Sequence, residues 1–123
     1  MGRFKVRFKI CSIRDPSKCK EIEGWVDTGS TVSIVPKAIL KELGIMPIRE
    51  QTFRLATSGI EVKRKVGHAI IKISVDGEEL ETASDVAFGQ KDDEIILGVP
   101  VLETLGIDID PQKRKLVRSL GHL

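Results

Sequence analysis

Apolar and charged residues alternate one for one at the start of the chain, where Phe4, Val6, Phe8 and Ile10 interleave with Arg3, Lys5, Arg7 and Lys9. A period of two puts the two sets on opposite faces of an extended backbone. That predicts a half-buried strand and excludes an amphipathic helix. The same period returns at Ile71, Ile73 and Val75, set among Lys72 and Ser74. Turn formers punctuate the chain at Asp15-Pro16-Ser17, Thr57-Ser58-Gly59, Asp76-Gly77 and Asp110-Pro111. Between them the pattern predicts strands at residues 20–27, 49–56, 60–75, within 79–88 and at 94–97, with a last hairpin from 106–109 and 115–118. Helix signals are confined to residues 36–44, where Pro36 suits the first turn and Gly44 the stop, and to a turn or two at 100–105. The expectation is a small, closed, mostly β fold.

Composition narrows the class further. At 123 residues and 41% hydrophobic content, residues 1–123 make one domain with one core. Lys and Arg total 20 against 18 Asp and Glu, a net charge of +2 spread along the chain. That balance argues against a nucleic-acid partner, which calls for a concentrated basic face. No apolar run approaches the roughly 20 residues a bilayer requires, so no membrane partner is expected. The opening MGRFKVRFKICS lacks the apolar block of a signal peptide, and the expected location is cytoplasmic. Cys11 and Cys19 fit neither a zinc knuckle nor a redox pair. They flank SIRDPSK and would face each other across a hairpin, where a disulfide is open to them; a cytosolic chain would keep both thiols reduced. The chain has no Asn and only three Gln, a weak mark of thermophile origin.

One segment carries chemistry: Trp25-Val26-Asp27-Thr28-Gly29-Ser30-Thr31. An acid at the end of an apolar strand is costly unless something holds it. Alone, Asp-Thr-Gly also fits an ordinary Asx turn. Its companions decide the matter. Ile95-Ile96-Leu97-Gly98 follows about 70 positions later, itself followed by a short helix, and the small-tipped hairpin around Thr57-Ser58-Gly59 lies between.

In that order these pieces resemble the retropepsin-like aspartic proteases, from about residue 20 to residue 117. The resemblance implies a closed, mostly antiparallel β-barrel of the retropepsin type. It also implies an aspartic endopeptidase that needs no metal or organic cofactor and cuts peptide or unfolded protein between apolar residues. Asp27, Thr28 and Gly29 would be the catalytic set. The reaction takes two carboxylates sharing a proton, one as base towards water and one as acid towards the peptide carbonyl. With one Asp-Thr-Gly per chain, the second carboxylate must come from a second chain, so a homodimer is expected. Thr28 would bond across the twofold axis, and Ser30 would hydrogen-bond the Asp27 carboxylate and favour an acidic optimum. Residues 53–66 would form a flap with Thr57, Ser58 and Gly59 at its tip. Trp25, Ile34 and Ile96 would wall an apolar substrate cleft, and Lys63, Arg64 and Lys65 would favour acidic substrate residues.

Two positions depart from the retroviral pattern. An acid two after the motif's Gly and an Arg after the Ile-Gly are replaced by Thr31 and Val99, so both partners of that ion pair are absent together. Three lesser features read as structural: Asp92-Asp93-Glu94 as a solvated loop, Asp108 and Asp110 as exposed positions on a strand, and His68 as a strand residue. The rival to the enzyme is a non-catalytic module of the same fold that dimerises or binds peptides.

Overall fold

The computed structural model describes residues 3–56, 58–119 and 123. The elements run β1 (Lys5–Cys11), β2 (Cys19–Asp27), β3 (Ser33–Pro36), α1 (Lys37–Glu42), β4 (Pro47–Arg54) and β5 (Glu61–Val75). They continue with β6 (Glu78–Gly89), β7 (Ile96–Gly98), α2 (Val99–Leu105), β8 (Ile107–Asp110) and β9 (Lys115–Arg118). Every expected strand and both helices form. The addition is β3, four residues ending at Pro36.

Six strands close a barrel in the order β1-β2-β7-β3-β6-β5, sealed by the pairing of β5 back onto β1. Four of its six pairings are antiparallel. The exceptions, β2 with β7 and β3 with β6, are parallel. β4 extends the sheet beyond β5, and β8 with β9 makes a separate two-stranded sheet.

The alternation in β1 resolves as read: Phe8 and Ile10 point into the core while Arg7 faces solvent. β7 has no polar face, and Ile96, Leu97 and Gly98 are all buried. A strand enclosed on both faces loses the period-two signal and reads as a plain apolar run. The helices plug the barrel. α1 buries Leu40, and α2 buries Val101 and Leu102, each worth about 1.5–3 kcal/mol of apolar burial. Gly44 and Gly106 follow the two helices at positive φ.

Cys11 and Cys19 are direct partners across the β1–β2 hairpin and are joined in a disulfide. The question the sequence left open, disulfide or reduced thiols, is thereby answered. The register of the hairpin brings the two residues together, and that outweighs any inference from compartment.

Candidate active site

Asp27 is the last residue of β2 and lies beside Gly98, the last residue of β7, in parallel register. The loop after β2 and the start of α2 leave the barrel at this point, and hydrogen bonds lash them together. The Val99 N–H donates to the Ser30 carbonyl at 3.1 Å. The Gly98 N–H donates to Ser33 Oγ at 2.9 Å, and Ser33 is only 1% exposed. A Cβ on Gly98 would lie 2.7 Å from the backbone of Val32, closer than real atoms approach. The loop after Asp27 therefore closes on β7 only because residue 98 is glycine.

Within the loop, the Gly29 N–H donates to Asp27 Oδ1 at 2.9 Å and orients the half-buried carboxylate. A Cβ on Gly29 would press on that same oxygen at 3.3 Å. Among the described residues no Lys, Arg or His lies within 4.0 Å of the Asp27 carboxylate. Thr28 is exposed, and among the described residues no group hydrogen-bonds its hydroxyl. One expected contact is absent. The Ser30 hydroxyl donates to the Val32 carbonyl at 2.6 Å and not to Asp27. A serine finds a backbone acceptor two residues on with less chain rearrangement than a carboxylate three residues back, a local competition common in turns.

Comparison with protein families matches residues 19–104 to the family described as "gag-polyprotein putative aspartyl protease". The chain belongs to this aspartyl protease family. Among solved structures, the EIAV protease complexed with the inhibitor HBY-793 resembles it with a TM-score of 0.55. That likeness covers 89% of this chain and 93% of the other, at 22% sequence identity, and shows a shared fold. No curated protein matches the sequence.

The remaining expected residues of this family member fall in three places. Trp25, Ile34 and Ile96 come together on the barrel wall, since Ile96 pairs with Trp25 on one side and Ile34 on the other. Trp25 also carries two cations on its ring, Arg3 at 4.6 Å and Lys5 at 4.8 Å, so the ring is shared with charge. Ser58 and Gly59 sit exposed at the tip of the β4–β5 hairpin, while Thr57 lies outside the described residues. That tip is closed by the Leu55 N–H to the Ile60 carbonyl at 2.9 Å and by the Gly59 N–H to the Leu55 carbonyl at 2.8 Å. At the sites of the missing ion pair, Thr31 is exposed, and the Val99 backbone bond to Ser30 ties the start of α2 to the loop after β2 instead.

Two readings change at the hairpin's return strand. Arg64 is not free for substrate. Its guanidinium grips Asp93 with two bonds of 2.7 and 3.0 Å, and both side chains are less than one-fifth exposed. Asp93 is accordingly no solvated loop residue. It also accepts from the Gln90 N–H at 2.7 Å and anchors the loop that leads into β7. The Arg64 hydrogen bond holds the Asp93 carboxyl below the usual range against the opposing cost of burial, and Asp93 in turn raises Arg64.

A second clamp at the root of the hairpin runs from Arg49 on β4 through Asp85 on β6 to His68 on β5. Both contacts measure 2.6 Å. The Arg49 bond is the main cause of the lowered Asp85 carboxyl. His68 is structural, as read. Ser33, Asp93 and Asp85 escaped sequence reasoning because their partners lie 65, 29 and 36 residues away along the chain.

Proposed function

We propose that this chain is an aspartic endopeptidase that works as a homodimer. Each copy gives one Asp27 to a dyad that activates water against peptide bonds between apolar residues. The observation that carries this reading is the half-buried Asp27, oriented by the Gly29 N–H where its loop closes on Gly98, with no cation partner among the described residues. Within its own chain the carboxylate accepts only the Gly29 N–H among the described residues, which leaves its second oxygen for chemistry. Membership of the aspartyl protease family supplies the chemistry that would use it.

The second carboxylate belongs to a second copy. Thr28, exposed and without a partner for its hydroxyl among the described residues, fits a bond across the twofold axis. The two carboxylates share one proton, so one is base while the other is acid. That sharing gives an acidic optimum without help from Ser30. Ile34 receives apolar substrate side chains, backed by the buried Ile96 beside it, and the β4–β5 hairpin acts as the flap that excludes water. The cytoplasm is the proposed location.

Cleavage of a mixed peptide library from pH 3 to 7, wild type beside Asp27→Asn, tests the reading. Cuts between apolar residues at acid pH, absent in the variant, are the expected result. A folded, dimeric wild type that cuts nothing would move the assignment to the peptide-binding module.

A further inference from the structure

Away from Asp27, the chain gathers lysines at one place. Lys37 and Lys41 stand one turn apart on α1 and so share a helix face. Lys63 and Lys65 alternate on β5 and share a strand face, while Arg64 between them turns the other way to Asp93. The fold brings the helix face and the strand face together around one cleft, floored by buried Phe88 and completed by Gln90 and Glu50. Among the described residues, none of these four ammonium groups has a carboxylate within 4.0 Å, whereas Lys9 and Lys20 are paired with Glu79 and Glu42. The cleft thus holds four positive charges against the single negative charge of Glu50, in a chain whose net charge is only +2. The Lys37 ammonium donates to Gln90 Oε1 at 3.2 Å, which leaves the Gln90 amide N–H₂ to donate elsewhere.

We propose that this cleft is an oligophosphate-binding site, independent of any peptide cleavage. A concave surface of one sign focuses its field and concentrates a multiply charged anion. Lysine ammoniums are compact point charges that bind phosphate without demanding the planar geometry of a carboxylate. Two facing pairs suit two or more linked phosphates, with the Gln90 amide as a neutral donor. A bound oligophosphate bridges α1 to β5, and so pins the root of the β4–β5 hairpin to the barrel.

The test is calorimetric titration of the intact protein with inorganic triphosphate at low salt, beside sulfate and hexaglutamate. The expected result is saturable triphosphate binding at one site per chain, with sulfate at least tenfold weaker. The double variant Lys63→Gln/Lys65→Gln should lose at least tenfold in affinity while keeping its melting temperature. The double variant Lys113→Gln/Lys115→Gln, remote from the cleft, should bind as the wild type does. Slowed amide exchange along residues 61–66 with triphosphate would support the bridge. Equal losses in both double variants would reduce the effect to diffuse surface charge and overturn the site. Hexaglutamate binding as tightly as triphosphate would overturn it in favour of an acidic peptide.

Discussion

The junction of β2, β7 and β3 and the β4–β5 hairpin are built on opposite principles. At the junction every β7 residue is buried, Ser33 is sealed inside, and Gly98 admits no side chain. Along β4 no residue is buried, and the hairpin and its root expose Met46, Ile48, Leu55 and Ile60 to solvent. Close packing with satisfied polar groups holds a side chain to one geometry. Few buried contacts leave a segment free to open at low cost. The same chain therefore has a fixed place for a carboxylate and an exposed hairpin, the proposed cover, joined by two ion-pair clamps at the hairpin's root.

The largest expected effect breaks the fixed half. Gly98→Ala places a methyl where Val32 backbone already lies, so it should cost about 3 kcal/mol and misplace Asp27. Chemical denaturation checks the first part. A variant as stable as wild type would show that the junction yields more readily than its packing implies. Next comes the disulfide, which closes a short loop within the β1–β2 hairpin. Replacing Cys11 and Cys19 by serine should cost about 2.5 kcal/mol by loop entropy, with the site geometry unchanged.

The clamps link the two halves and give a pH dependence. Asp93 and Asp85 have carboxyls lowered by Arg64 and Arg49, so their contribution is present above the unfolded-state value of 3.8. It is lost as pH falls through the still lower folded values. Melting temperature should therefore drop steeply below about pH 4. Asp93→Asn should cost about 2 kcal/mol at neutral pH and flatten that acid limb. An unchanged acid limb would remove Asp93 from the account. The smallest effect on stability belongs to the cover. Ile60→Ser, at a residue 60% exposed, should shift stability by no more than about 0.5 kcal/mol, yet weaken peptide capture. Melting and Michaelis constants measured together would separate the two.

β1 and the second half of β5 were legible because they keep a wet and a dry face, as Phe8 and Arg7 show, whereas β7 was legible only as an apolar run and β4 only from its flanking turns. β3 was not. Four residues between Val32 and α1 are too few for a period to declare itself, and Pro36 reads as a helix start. The Asp27-Thr28-Gly29 set and the Ile96-Leu97-Gly98 run were visible as local patterns, and the fold places them side by side. What local pattern cannot carry is the choice of partner. Ser30 took a backbone carbonyl near at hand, and Arg64 took Asp93 across 29 residues. In both cases the residue type was read correctly, and geometry decided its acceptor.

The central claim is that one chain holds half a catalytic site. Wild-type protein mixed with Asp27→Asn, allowed to exchange subunits and assayed on a peptide substrate, tests it directly. If only dimers with two Asp27 carboxylates cleave, a ninefold excess of variant should cut the activity of a fixed amount of wild type to about one-tenth. Activity that stays constant as variant is added would mean that a single chain suffices, and would contradict the account.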